Sequence, residues 1–130
     1  MSGANPSAAR TLWKLNGSGT TTLSVNGDSG PISIGDVTDL WLPVYVAGTS
    51  TGTSPTLDVQ IDVQDLDGHW FPQVAKVTQL TSAPNFTNVS CGLHIGGLGS
   101  MVLPHFCRVS WTLGGTNPAF PGASISLVGR

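Results

Sequence analysis

The side chains with the most chemical reach are three histidines, seven aspartates and two cysteines; the 130-residue chain has no glutamate. Asp65-Leu66-Asp67-Gly68 opens like a calcium loop. An EF-hand needs a bidentate Glu at its twelfth position, and Lys76 stands there. A hairpin turn accounts for the same four residues, because Asp and Gly supply turn hydrogen bonds and positive φ. Asp58 and Asp62 share the outward face of one expected strand, ~13 Å apart at ~3.3 Å per residue. That exceeds the separation of paired glycosidase carboxylates, so they read as solvated charges. His69, His94 and His105 show no metal-ligand spacing. His69 and His105 are expected at the surface. Cys107 two residues after His105 makes a weak nucleophile pair, with no third group to complete it. There is no G-x-S-x-G elbow, and Gly96 to Gly99 lacks the lysine of a phosphate loop. No catalytic residue and no cofactor are therefore expected, and the chain does not read as an enzyme. Cys91 and Cys107 fit no zinc pattern. They read as reduced, buried thiols, with a single disulfide as the alternative. Two glycosylation sequons, at Asn85 and Asn88, are discounted as chance matches in a chain rich in Asn, Ser and Thr.

Four tryptophans remain. Trp41 and Trp111 lie in the most apolar stretches and are expected in the core. Trp70, beside Asp67 and His69, is the one expected exposed platform, of the kind that stacks on sugar rings. Trp13, near the N-terminus, is expected to anchor against a neighbouring subunit.

The elements that must position these residues are strands. Leu57, Val59, Ile61 and Val63 alternate with Asp58, Gln60, Asp62 and Gln64, the period of a half-buried antiparallel strand. Phe106 to Leu113 alternates likewise, with Cys107, Val109, Trp111 and Leu113 on the core face. Asp39 to Ala47 is almost wholly apolar and reads as a buried strand, with Pro43 marking a bulge or an edge. Thr11–Leu15 and Thr21–Val25 end in Asn16-Gly17 and Asn26-Gly27, both hairpin signals. Pro31 to Gly35 and Asn88 to Ile95 are further short strands. Gly48 to Pro55, Gly96 to Ser100 and Gly114 to Gly122 read as loops, and Ala123 to Val128 as the closing strand.

Composition agrees. Twelve residues are charged, 26 are Gly or Pro and 28 are Ser or Thr. Helical surfaces need more Glu, Lys and Ala than this. Disorder needs fewer apolar residues than 39% and more net charge than −2. The five scattered cations, Arg10, Lys14, Lys76, Arg108 and Arg130, do not form the basic stripe of a nucleic-acid binder. No apolar run reaches the ~20 residues of a membrane span, and Met1 to Arg10 lacks a signal-peptide core. The expectation is all-β: a single antiparallel β-sandwich of about eight strands, jelly-roll or Ig-like, over residues 10–130, preceded by a flexible arm over residues 1–9.

Two stretches carry a resemblance. Gly52-Thr53-Ser54-Pro55-Thr56-Leu57-Asp58-Val59-Gln60-Ile61 is followed by Asp65-Leu66-Asp67-Gly68-His69-Trp70. Gly96-Gly97-Leu98-Gly99 is followed by Arg108-Val109-Ser110-Trp111-Thr112-Leu113-Gly114-Gly115-Thr116-Asn117-Pro118-Ala119-Phe120. Over roughly residues 30–128 the chain resembles small β-sandwich structural proteins of tailed bacteriophages and prophages, of the head-decoration or minor-capsid type. Met101 to Cys107 and Pro121-Gly122 depart from the pattern. The resemblance implies a capsid decoration (cement) protein on the outer surface of a phage head, made in the bacterial host cytoplasm. Its implied partners are the major capsid protein and copies of itself, as a small oligomer such as a trimer. Arg10, Leu12, Trp13 and Leu15 are the expected capsid or subunit contact. The alternative is a carbohydrate- or host-surface-binding module using Asp67, His69 and Trp70.

Overall fold

The computed structural model describes residues 8–17, 21–82, 84–92 and 105–130. The expected arm lies outside the described residues up to residue 7, as do His94 and Gly96 to Ser100; Ala8 and Ala9 are exposed and outside any strand. Nine strands make up the described chain: β1 (Arg10–Lys14), β2 (Thr21–Leu23), β3 (Gly27–Asp28), β4 (Ile32–Ser33), β5 (Asp39–Val46), β6 (Thr51–Gln64), β7 (Trp70–Lys76), β8 (Asn85–Gly92) and β9 (Phe106–Gly129). All pairings are antiparallel, and there is no helix among the described residues. Accordingly no helix is long and apolar enough to cross a membrane.

The topology reduces to four antiparallel passes. β1 to β4 meet β9 in turn from its last residue to its first, with Arg10 opposite Gly129, Leu23 opposite Phe120, Gly27 opposite Trp111 and Ser33 opposite Phe106. On the other side of β9, β5 takes Ala123 to Gly129 and β6 takes Phe106 to Ala119. β7 then lines β6, and β8 lines β5. The first pass therefore pairs with the last, and the second lies between the last and the third.

This corrects the expected hairpins. β1 and β2 do not pair with each other, nor β2 with β3; all three pair with a strand about a hundred residues downstream. Asn16 and Gly17 do take positive φ, at 56° and 74°, but their turn interrupts one edge of a long ladder instead of reversing it. Where the first pass breaks, side chains replace backbone partners. Asn26 Oδ1 accepts from Leu113 N–H at 2.8 Å, and Ser29 Oγ accepts from Val109 N–H at 2.9 Å. Gly27 leaves room for the Trp111 ring, which lies 2.8 Å from where a Cβ would stand.

Two expected loops are also corrected. Thr51 to Pro55 belongs to β6, and Gly114 to Gly122 to the continuous 24-residue β9. Laid straight, β9 would measure about 80 Å. Its ends are instead bridged by one short segment: Ile34 N–H donates to His105 O and Thr38 N–H to Arg130 O, both at 2.8 Å. Four residues span at most ~14 Å, so the sheet must fold over on itself. The fold line is built from residues that tolerate it. Gly52, Gly115 and Gly122 have φ of 105°, 98° and 69°, and Ser54 and Asn117 sit near 50°. Paired backbones cross so closely there that a Cβ on Gly52 would stand 2.5 Å from Asn117 O.

Folding the sheet encloses one core. β5 supplies Leu40, Leu42, Val44 and Val46; β6 supplies Leu57, Val59 and Ile61; β9 supplies Cys107, Val109, Phe120, Ile125 and Leu127. All are at most 1% exposed, so truncating a Leu or Ile among them to Ala costs roughly 2–5 kcal/mol. The alternation expected for β6 and for the start of β9 is what the structure shows. Val63, Trp111 and Leu113 on that face are half-buried at the core's rim, and Trp111 sets its Nε1–H on Val25 O at 3.2 Å. Pro43 sits in an interior strand, flanked by β8 and β9, and the β5–β9 register skips Leu42 and Pro43.

Candidate functional site

Three surface regions gather the chemically capable residues. The first is the outer face of the β6–β9 half. Asp62 points away from the apolar core, as the alternation requires, yet it is 1% exposed, which corrects its reading as a solvated charge. A bulge in β7 covers it: Ala75 faces Ile61 and Phe71 faces Val63, so Pro72, Gln73 and Val74 crowd opposite Asp62. Gln73, with φ of 59°, turns its N–H onto Asp62 Oδ1 at 3.1 Å. Gln60 Nε2 donates to the same oxygen at 2.8 Å. Arg108 Nε and Ser110 Oγ donate to Oδ2 at 2.9 and 3.0 Å. Burial pushes this carboxyl upward, but the hydrogen bonds from Arg108, Gln60, Gln73 and Ser110 outweigh it and hold the group below its ordinary range. The Arg108 guanidinium in turn lies 4.5 Å from the centroid of the Trp70 ring, within cation–π range. Both carboxylate oxygens of Asp62 are thus occupied by two donors each from this chain, which describes a structural lock.

The second region is the β6–β7 turn, where the expected hairpin does form. Asp65 Oδ1 accepts from the N–H groups of Asp67 and His69 at 2.9 and 2.8 Å, and Oδ2 lies 3.1 Å from His69 Nδ1. The His69 N–H, more than any other contact, holds the Asp65 carboxyl below its ordinary range. Asp65, Asp67 and His69 bring three ligand atoms within 4.8 Å of one another. The same atoms explain themselves as the fastening of a tight turn. The platform residues are thus placed together, with Asp67 and His69 exposed, but Trp70 is half-buried and Arg108 lies over its ring.

The third region was hidden in sequence. Trp41 is 46% exposed, against the expectation of a core residue. Strand β5 buries Leu40, Leu42, Val44 and Val46 and turns Trp41, Pro43 and Tyr45 outward. β8 places Phe86 opposite Tyr45, Asn88 opposite Pro43 and Ser90 opposite Trp41. The result is a face on which Trp41, Tyr45 and Phe86 are all strongly exposed and Asp39, at the start of β5, is the charged residue of the two strands. Beside Trp41 a groove of about 330 Å³ is lined by Ala9, Asp39, Ser90, Val128 and Arg130. Arg130 Nε and Asp39 Oδ2 stand 3.3 Å apart at its end. The available signal was the alternation of aliphatic with aromatic and Pro residues within the apolar run.

The four expected contact residues lie along β1 and just beyond it. Arg10 pairs with Asp36 at 2.8 Å on the surface. Leu12 and Trp13 pack partly against the core, Trp13 stacks on Trp111 with centroids 6.2 Å apart, and Leu15 is 7% exposed. Cys107 is fully buried, so it does not face solvent beside the exposed His105. Compared with known proteins, the chain matches no family model and no curated protein.

Proposed function

We propose that this chain is a virion structural protein, a capsid decoration protein that binds the outer surface of a phage head and stabilises it. The observation that carries the reading is the outer face of β5 and β8, where Trp41, Tyr45 and Phe86 are exposed and the charges, Asp39 and Arg130, pair with each other at one end. Aromatic residues are enriched at the centres of protein interfaces and charged ones depleted, because burying an unpaired charge is costly. The resemblance of residues 52–70 and 108–120 to phage β-sandwich proteins points the same way, and the folded-over sheet is read as a β-sandwich of jelly-roll or Ig-like type. The partners are the major capsid protein and further copies of this chain, at the capsid surface.

The test is binding of the purified chain to heads that lack it, read by co-sedimentation and by imaging. Trp41→Ala with Tyr45→Ala should lower occupancy at least tenfold while leaving the melting temperature within a few degrees, since both side chains face solvent. Full occupancy by the double variant, or attachment to tails instead of heads, overturns the reading.

A second reading has its own observation, the groove beside Trp41 with Asp39 and Arg130 at its end. An aromatic ring beside a polar pair is the arrangement that grips a sugar. A carbohydrate- or host-surface-binding module would lose glycan binding on Trp41→Ala, whereas a platform at the β6–β7 turn would lose it on Trp70→Ala.

A further inference from the structure

The folded sheet has two open margins, and they are not alike. The first pass forms one margin and is broken into four short strands, with Arg10, Lys14 and Asp28 along it and Pro31 between β3 and β4. The other margin is shared by β7 and β8. β7 carries Pro72, the Gln73 bulge and Lys76. Short strands, prolines, bulges and lysines are the devices by which natural sheets prevent their edges from pairing. β8 has none of them. It reads Asn-Phe-Thr-Asn-Val-Ser-Cys-Gly, without charge or proline. Its register against β5 runs unbroken from Val46–Asn85 to Asp39–Gly92. Among the described residues nothing pairs with its outer side.

We propose that β8 is the self-association edge of this protein, pairing antiparallel with β8 of a second copy across a two-fold axis at Asn88. The backbone fixes which groups are offered. Asp39 exchanges backbone hydrogen bonds with Arg130, so the backbone groups of the odd-numbered residues of β5 face β9. Those of Leu40, Leu42, Val44 and Val46 face Cys91, Val89, Thr87 and Asn85 of β8, while Phe86 N–H donates to Asn85 Oδ1 at 2.8 Å. Antiparallel strands alternate between residues bonded to one neighbour and residues bonded to the other. Phe86, Asn88 and Ser90 therefore present their N–H and C=O groups outward. Centred on Asn88, two copies exchange bonds between Asn88 and Asn88, and between Phe86 of one and Ser90 of the other. A two-fold contact closes on itself and leaves no further edge to propagate a fibre. A second copy is the occupant because an unbroken, uncharged antiparallel strand is complementary to itself. Side chains of directly paired residues share a face, so the two aromatic rows, Trp41–Tyr45–Phe86, join across the axis into one continuous surface. This deepens the capsid reading by naming how copies meet, and it holds whether or not a capsid is the partner.

Light scattering of the purified full chain should give twice the chain mass. Asn88→Lys sets two like charges face to face at the axis and should return the mass to that of one chain, with the melting transition and circular dichroism retained. Asn88→Cys should cross-link two chains under mild oxidation, because hydrogen-bonded partners in antiparallel strands have Cα atoms ~5.5 Å apart, within disulfide reach. The parent chain and Thr112→Cys, on the other half of the sheet, give the background. A single-chain mass with β8 amides protected from exchange would mean that the chain covers its own edge, and overturns the proposal. So does a dimer or trimer that survives Asn88→Lys and does not cross-link through Cys at position 88.

Discussion

Asp62 shows what one charged residue does in a chain with few. Its carboxylate is buried under Gln73, Arg108 and Ser110, while Arg108 stays about a quarter exposed. Removing one member of a buried pair leaves the other's demand unmet. Asp62→Asn should therefore cost about 2 kcal/mol at neutral pH, toward the low end for buried pairs because water still reaches Arg108. The pH dependence has a defined sign. The folded carboxyl titrates below its ordinary range, so between that lower value and the unfolded value near ~3.9 the unfolded chain binds more protons. The lock's stabilisation is complete above about pH 4 and is lost as the pH falls through the folded value. Urea unfolding of the parent and of Asp62→Asn should give curves that stand apart at pH 7 and converge below pH 4. Parallel curves across that range would show that the lock does not titrate with folding.

At the scale of elements, the fold line between the two halves is the most demanding part of the sheet. Gly115 combines φ of 98° with a site where a Cβ would stand 2.6 Å from Thr53 O. Gly30 has φ of 75° but open space around it. Gly30→Ala should cost only the left-handed penalty, about 1–2 kcal/mol. Gly115→Ala should cost at least ~3 kcal/mol, because the paired backbones must also separate. Denaturant midpoints of the two variants measure the difference, and equal midpoints would mean that the bend relaxes freely. The strands themselves were legible wherever one face is apolar and the other polar: Leu57 to Gln64 and Phe106 to Val109 read correctly from alternation alone. β5 was legible as a strand but not in its faces, since Trp41 and Tyr45 are as apolar as the Leu and Val residues between them. Asn16-Gly17 announced its own positive φ, whereas Gly27 is in strand β3 without one; neither Asn-Gly pair announced its partner, because local turn chemistry carries no information about a strand a hundred residues away. The burial of Asp62 was illegible for a related reason. It depends on a bulge at Gln73, which shows only in the register of two paired strands.

For the whole molecule, the order of the passes decides how it folds. β9 is the last strand in sequence and the central one in space, flanked by β1 to β4 on one side and by β5 and β6 on the other. Before residues 106–129 are in place the first pass has no partner at all, and the second has only β7 and β8. Arg10 must find Gly129 and Ser33 must find Phe106, so the loops closed are among the longest the chain allows. Closing them costs entropy before any contact repays it. Refolding from urea should therefore take milliseconds to seconds, the range of all-β domains with non-local pairing, and not microseconds. The same topology predicts the effect of truncation. A chain ending at Gly122 keeps most of its sequence but loses Ala123, Ile125 and Leu127, all fully buried, together with the strand that joins β1 to β5. It should show no cooperative melting transition and no near-ultraviolet signal from its tryptophans. Removing residues 1–9 instead deletes no strand and should leave the melting temperature within a few degrees of the parent's. A cooperative transition in the chain ending at Gly122 would show that β5, β6, β7 and β8 hold a core by themselves, and that the last pass closes a structure already formed.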